Sequence, residues 1–555
     1  MATLPIRNLG SSGLITDMDA QDIPISAFSD CRNVVFDQGS VKRSPGFKRI
    51  YELPVSEAVS WSAVSGTYAN YAYTWYGGLA TENADQTRHI ASYYSPTNGA
   101  ILIGCNTDGS VYDYVNGQFE DVSPAQSSTS TDLVGWTHNQ ISGLSVVNRY
   151  GYSPYIRDII SDANYSKMTV GDWPTTDYAV SMRTFKDFII ALNVYETNTQ
   201  KHTMVKWTDP IGYRASKSSG VIWTSSSSNS AGSNILGQAK TPIEDGLALG
   251  NVFIIYTQTE AVLMEYTAST LVFNFRELFN DDGVINLNCV AEVGGQHYVF
   301  GFNNIYMHNG NAKQNLATNA VRDRVYNEMD RSKSSKFFVH YDNSLQLIYF
   351  CYVSSESNIG FSNSTYCNKA AVYNMINQTW SFMDLPNVVG AASLNISTNL
   401  GLSSETTEMA VMVGARQTAV NHTGSRAYAL DMLENGQLTT SQEQETIKTA
   451  FVERHGLDLD ETQAPLRSAK HLKTITPIIT MPNTSGSLSI KTGFNEYAST
   501  TPPSYVETTT YTPSSMYKLD SRANGRLLAY KVEETAGDAF NFSGADFDIT
   551  LTSRR

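Results

Sequence analysis

The feature that most constrains this chain is a hairpin that recurs. Val111-Tyr112-Asp113-Tyr114 runs through Val115 into Asn116-Gly117 and returns through Gln118-Phe119. Asn-Gly between strand-like residues favours a type I′ turn, because both central residues of that turn need positive φ. Related units are Ile305-Tyr306-Met307-His308 before Asn309-Gly310, and Val372-Tyr373-Asn374-Met375 before Asn377-Gln378 and Trp380. Ala427-Tyr428-Ala429-Leu430 leads, more loosely, to Asn435-Gly436. Each copy is a small or aliphatic residue, then Tyr, then a polar passage into a turn. Hairpins repeated at long, irregular spacing point to repeated antiparallel sheets such as propeller blades. The competing account is four unrelated hairpins that share a Tyr, in a chain holding 32 of them.

With 555 residues the chain can bury a large core. Charged residues make up 17%, below the usual ~25%, which fits many short strands joined by Gly, Ser, Thr and Asn turns. The formal net charge of −14 argues against a surface that grips nucleic acid through Lys and Arg. Cys31, Cys105, Cys289, Cys351 and Cys367 are odd in number and widely spaced, with no Cys-x-x-Cys, so buried reduced thiols are expected rather than disulfides or zinc. The first residues lack a basic region followed by an apolar one, so no secretion signal is expected. No apolar run approaches the ~20 residues of a membrane span.

The fold expected is all-β: a β-propeller with an irregular N-terminal arm and a C-terminal β-sandwich-like region. The arm covers 1–55 and includes a hairpin, Val34-Val35-Phe36 against Val41-Lys42-Arg43 across Asp37-Gln38-Gly39-Ser40. The propeller-like domain, with insertions, covers 56–437. Its clearer strands are Val59 to Ala63, the apolar stretch ending Arg183 to Asn193, its partner Val205 to Pro210, and Val252 to Tyr256. One helix is expected, Ala320 to Met329, with Val321, Val325 and Met329 on one face and Asn319 as N-cap. The sandwich covers 438–555 and rests on alternating strands at Leu472–Ile479, Gly486–Lys491, Leu527–Val532 and Asp546–Leu551.

No constellation makes a positive case for catalysis, and no cofactor or metal is expected. Asp458-Leu459-Asp460-Glu461, with His455 upstream, reads as acids facing solvent on a strand whose leucines face inward. Asn280-Asp281-Asp282-Gly283 reads as a turn. His297 and His308 flank a hairpin and could face each other, but no third ligand stands at a metal-site spacing. Ser230-Ala231-Gly232 is not a nucleophile elbow. A glycosidase needs two juxtaposed carboxylates, and no stretch nominates a pair. Trp61, Trp173, Trp207 and Trp380 sit in or beside strands and are expected in the core.

Two terminal segments carry a family resemblance. Ser29-Asp30-Cys31-Arg32-Asn33-Val34-Val35-Phe36, then Gly39 to Arg43 and Ser44-Pro45-Gly46, resembles the N-terminal segment of propeller-containing tail proteins of short-tailed bacteriophages. At the other end, Arg522-Ala523-Asn524-Gly525-Arg526, the strand from Leu527, and Gly544-Ala545-Asp546-Phe547-Asp548 before Arg554-Arg555 is similar to the close of the same proteins. The motif positions are Asn33, Arg43, Pro45, Gly46, Arg522, Gly525, Arg526 and Gly544.

The resemblance implies a tail nozzle, also described as a tail tubular or packaged-DNA-stabilising protein. Such a virion structural protein, without catalysis, is assembled in the host cytoplasm as a homo-hexamer below the portal and a tail adaptor protein. Its axial channel retains viral DNA and releases it on ejection without sequence-specific binding, and tail fibres or a needle are further partners. Acidic residues and loop hydroxyls would be expected on such a channel wall, which should not bind phosphate. The alternative is a tail-tip propeller that binds a receptor or degrades polysaccharide; a cellular propeller scaffold that binds peptides is a third reading.

Overall fold

The computed structural model describes residues 2–52, 87–107, 109–115, 118–124, 135–267, 269, 271–355, 366–394, 409–414, 426–431, 449–459, 468–497, 503 and 505–554. Five antiparallel four-stranded sheets follow one another in chain order. Blade 1 is Thr87–Ser95, Gly99–Asn106, Val111–Val115 and Gln118–Asp121. Blade 2 is Trp136–Ile141, Leu144–Arg149, Tyr155–Asp158 and Ser166–Lys167. Blade 3 is Tyr178–Phe185, Phe188–Glu196, Thr199–Trp207 and Gly232–Ile235. Blade 4 is Ile243–Leu249, Val252–Thr257, Ala261–Tyr266 and Phe273–Phe279. Blade 5 is Val290–Val293, Gln296–Phe300, Ile305–His308 and Lys313–Asn315.

A seven-stranded sheet supplies two more blades, joined by the 16-residue strand Thr379–Leu394. Phe338–Asp342, Leu347–Tyr352 and Cys367–Asn374 pair in turn, and the first part of the long strand completes blade 6. The second part, 388–394, pairs with Met409–Gly414 and opens blade 7. Pro386, which has no N–H for the ladder, and Asn387, at φ 50°, stand where the strand changes partners. Blade 7 continues through Arg426–Asp431 and ends on Gly46–Glu52, a strand from the opposite end of the chain.

The first strands of the seven blades form a ring. Ile90, Trp136, Arg183, Leu247, Val290, Val339 and Gly390, one from each, line a single axial cavity. The ring closes between blades 7 and 1, where a Cβ on Gly390 would stand 3.6 Å from the Ile90 nitrogen. The described residues therefore form a seven-bladed propeller, clasped by the strand Gly46–Glu52 that precedes blade 1 in the chain.

The Tyr repeat maps onto this plan. Tyr112, Tyr306, Tyr373 and Tyr428 each lie in the third strand of a blade: 1, 5, 6 and 7. In blade 1, Val115 pairs with Gln118, as a two-residue loop requires, although Asn116 and Gly117 lie outside the described residues. Blade 5 instead turns through four residues, with the Asn309 side chain accepting from the Asn311 and Ala312 backbone N–H groups. In blade 7 the strand beyond Tyr428 pairs with Gly46–Glu52; Asn435-Gly436 lies outside the described residues.

The described part of the expected arm, residues 2–52, does not stand apart. Ala2–Arg7, Val34–Asp37 and Ser40–Arg43 join Ser468–Thr480, Asn541–Arg554, Leu519–Asp520 and Asn524–Gly525 in one sheet. Asp30–Arg32 joins Ala450–Leu457, Leu527–Glu534, Leu488–Asn495 and Tyr505–Tyr511 in a second. Leu472, Ile475, Phe547 and Ile549 of the first sheet and Ile490, Leu528, Tyr530 and Val532 of the second share the sandwich core. Both ends of the chain thus build one β-sandwich, and Ser44-Pro45 carries the chain directly from it into the blade 7 clasp. The expected 34–43 hairpin is present, with Gln38 at φ 48° and Gly39 at φ 73°.

The helix is shorter than expected, Arg322–Glu328, and its N-cap is Val321 with no side-chain cap. Asn319 stands before it in the left-handed region at φ 60° and is not the cap. The apolar face is as expected: Val321, Val325 and Met329 are all buried. Trp173, Trp207 and Trp380 are buried and all five cysteines are buried and free; Trp61, and with it the Val59–Ala63 strand, lies outside the described residues.

Candidate functional site

The axis of the propeller is organised by Asn288, just ahead of the first strand of blade 5. Its φ of 60° is one that Asn tolerates better than most residues with a Cβ. The backbone N–H donates to Asp245 Oδ2 of blade 4 at 2.9 Å. Its Oδ1 accepts from Arg183 Nη2 of blade 3 at 2.8 Å, and its Nδ2 donates to the Trp136 carbonyl of blade 2 at 3.0 Å. Its own carbonyl accepts from Val339 N–H of blade 6 at 2.9 Å. One residue ties five blades together across the axis.

Asp245 is fully buried, beside a register shift in its strand. Its Oδ1 accepts from Ser181 Oγ at 2.8 Å, Arg183 Nε at 2.9 Å and its neighbour Gly246 N–H at 2.8 Å. Its Oδ2 accepts from Arg183 Nη2 at 2.7 Å. The guanidinium is thus gripped at two nitrogens by a fully buried carboxylate, a bidentate geometry that fixes orientation as well as charge.

This hub borders a cavity of about 400 Å³. Arg88 of blade 1 lies over the Tyr366 ring at 4.8 Å from its centroid, and Lys336 lies over the same ring at 4.4 Å. Glu244 is the one carboxylate in the lining among the described residues. Burial pushes its pKa up, against a Gln258 amide that donates to it at 2.9 Å. His89, also in the lining, is held neutral by burial and by the nearby His138 and Arg183, its pKa lowered to about 3.

His297 and His308 do face each other, as directly paired residues of blade 5 with ring centroids 5.3 Å apart. Tyr256 of blade 4 sits between them, its hydroxyl 2.7 Å from His297 Nδ1 and 2.6 Å from His308 Nε2. The outer partners fix the tautomers. Gly310 N–H donates to His308 Nδ1 at 3.2 Å, so the proton of that ring is on Nε2. The Ala248 carbonyl accepts from His297 Nε2 at 2.9 Å, so His297 Nδ1 is bare. The hydrogen bonds therefore run one way, from His308 to Tyr256 to His297 to Ala248. Burial lowers the pKa of His297 to about 4 and that of His308 to about 3. With each ring nitrogen already committed, the pair is a neutral seam between two blades.

The eight motif positions do not converge on one site. Asn33, at φ 55°, turns the chain from one sandwich sheet to the other. It also holds blade 6: its Oδ1 accepts from Asp384 N–H at 2.8 Å and its Nδ2 donates to Asp384 Oδ2 at 3.1 Å. Arg43 forms a buried ion pair with Glu534; burial lowers the pKa of the one and raises that of the other. Pro45 and Gly46 are buried where the chain enters the clasp. Gly525 and Gly544 permit close approach, since a Cβ would stand 2.2 Å from Phe494 Cδ2 and 2.6 Å from the Ile6 carbonyl oxygen. Arg522 is exposed and its N–H donates to Glu507, while the Arg526 carbonyl accepts from buried Lys470 Nζ at 2.8 Å.

Asp281 and Asp282 are ion-paired to Lys313 at 2.8 and 2.5 Å, as befits a braced turn. Leu457 and Leu459 are buried as expected, but the strand ends at Leu457 and Leu459 takes φ 60°; Asp460 and Glu461 lie outside the described residues. Among the described residues no group of three or more His, Cys, Asp or Glu side chains could hold a metal ion, and no helix is long and apolar enough to cross a membrane. The Asn288–Asp245–Arg183 hub was missed from sequence. Its residues lie in three separate segments, and none has a local pattern beyond an Asn ahead of a strand.

No family model matches the chain, and no curated protein does. Among solved structures it is similar to the computationally designed Ika8 protein, at 8% identity and TM-score 0.36, over 75% of this chain and 96% of that one. It is also similar to the CNH domain of AfRom2, at 7% identity and TM-score 0.35, over 63% of this chain and 96% of that one.

Proposed function

We propose that this chain is a structural virion protein, the tail nozzle of a short-tailed bacteriophage, acting without catalysis in a ring of six copies below an adaptor. The observation that carries the reading is that the two segments with the family resemblance, at opposite ends of the sequence, fold into one sandwich. Arg43 of the first pairs with Glu534 beside the second, and Phe542 pairs with Val41. A module built by both termini and continuous with the propeller clasp suits a protein that must hold together while it is loaded mechanically.

The geometry refines the proposal. Asn288 and its partners cross the propeller axis, and the space beside them is about 400 Å³, far too small for a duplex. A DNA channel would therefore lie between copies of the chain. A subunit of net charge −14 is biased toward a wall that phosphates slide past.

The test is the mass of the purified chain by light scattering, alone and with an adaptor–portal complex. Six-fold rings, or monomers recruited only by the adaptor, are expected. A stable monomer or trimer that ignores the adaptor but binds or cleaves host-surface polysaccharide would replace the proposal with the tail-tip reading.

A further inference from the structure

Three turns meet at one end of blade 2. The tight turn between its first two strands holds both of the others: the Gly143 carbonyl accepts from Ile159 N–H at 3.0 Å, and Ser142 Oγ donates to the Ile211 carbonyl at 3.3 Å. Ile159 belongs to the turn 158–162, and Ile211 to residues 208–231, the connection between the last two strands of blade 3. That connection is built into the neighbouring blade, since Ile211, Val221 and Trp223 are buried in the same core as Ile141, Leu144 and Trp173. The two outer segments are also pinned to each other by the Lys217–Asp162 ion pair at 2.8 Å.

What these braced turns present is apolar and cationic. Tyr213, at 85%, is the most exposed large apolar side chain among the described residues, and Ile160 is 55% exposed. Neither sits on a slack tip. The Asp158 side chain accepts from the Ile160 and Ser161 N–H groups at 2.9 and 3.1 Å. Ile211 N–H donates to the Asp187 carbonyl at 2.7 Å, and Ala215 N–H closes its turn on the Gly212 carbonyl at 3.0 Å. Inside that turn Arg214 stands at φ 55°, a region that a residue with a Cβ keeps only where its surroundings hold it there. Its guanidinium lies 5.5 Å from the centroid of the Tyr213 ring, and it has no carboxylate partner among the described residues. Tyr and Arg on a preorganised support are typical anchors of protein interfaces, and neighbouring exposed apolar side chains with a polar rim mark such sites.

We propose that Ile160, Tyr213 and Arg214 form a docking surface for a second copy of this chain and join neighbouring copies of the ring, an inference that rests on the nozzle reading. Charge selects the occupant. Each copy carries a net charge of −14, with 53 acidic residues against 39 Lys and Arg, so an uncompensated Arg214 finds its complement on another copy. A twofold contact centred on Tyr213 would set Arg214 against Arg214, so the complementary surface lies elsewhere on the neighbour. Such a head-to-tail contact is the kind that closes into a ring.

The experiment is light scattering of the full chain over a concentration series, alone and with the adaptor–portal complex. Tyr213→Ser and Arg214→Glu are compared with the wild type and with a control, Leu271→Ser, at a residue 74% exposed on blade 4. Wild-type rings are expected. Each of the two variants should raise the concentration at which half of the chain is assembled by about tenfold, the loss of one interface anchor, and the control should not. Added NaCl should weaken wild-type rings, and should weaken those of Arg214→Gln less. Circular dichroism establishes that each variant is folded. If both variants form rings as readily as the wild type, alone and with the adaptor, the docking surface is overturned and the nozzle reading stands. A chain that forms no ring under either condition overturns both.

Discussion

Two groups of residues show how much of this propeller depends on single side chains. The His308–Tyr256–His297 chain is satisfied only while both rings are neutral. In the unfolded chain each His takes up a proton below its ordinary pKa of 6.5, whereas in the folded chain it does so only near 3 to 4. The unfolded state therefore binds more protons between these values, so the stabilisation is full above about pH 6.5 and is lost as the pH falls. Each ring should contribute a loss of up to about 2 kcal/mol between neutral pH and about pH 5. Urea unfolding at the two pH values should show the fall, and His308→Gln should reduce it; an equal fall in that variant would count against the seam.

Asn288 makes a second residue-level case. Asn288→Ala deletes the contacts to Arg183 and to the Trp136 carbonyl and puts Ala at positive φ, so a loss of about 3 kcal/mol is expected. Asn288→Gly deletes the same contacts without the backbone strain and should lose less. Denaturant midpoints compare them, and a Gly variant no better than Ala would mean that φ is not part of the cost.

At the scale of elements, the clasp and the shared strand are the unusual parts. Gly46–Glu52 completes blade 7 by pairing with Arg426–Asp431, and Thr379–Leu394 serves blades 6 and 7 in turn. A chain that begins at residue 53 would leave the Arg426–Asp431 edge unpaired and take away four sandwich strands, and exposed edges of this kind aggregate. Low soluble yield is expected for that truncation, with recovery when a peptide of residues 1–52 is supplied during refolding. A soluble, folded truncation would show that the clasp is dispensable. The Tyr repeat belongs to this scale too. It marked strands that run into turns, because a Tyr beside a turn is a local property; that these are third strands is decided by the sheets. It did not separate a hairpin whose return strand follows from one whose fourth strand comes from the other terminus.

At the scale of the whole molecule, the sandwich and the propeller are joined through polar contacts, buried at Asn33 and half-buried at Asp30, as well as through the clasp. Asn33 holds Asp384, and Arg324 of the helix pairs with Asp30 of the sandwich at 2.6 Å and with Glu328 at 2.9 Å. By itself the sequence determined the all-β class, the blade-like repeat, the 34–43 hairpin, the C-terminal strands and the apolar face of the helix. Each of these follows from alternation, turn residues or helical spacing within a short window, where local sterics and burial decide the conformation. Only the tertiary structure decided the seven-blade count, the division of residues 2–52 between sandwich and clasp, the hub at Asn288 and the His–Tyr–His seam. These depend on which distant segments share a sheet or meet on an axis. That choice is made by closure of a ring and by satisfaction of buried polar groups, quantities that belong to the assembled core and leave no period in the chain.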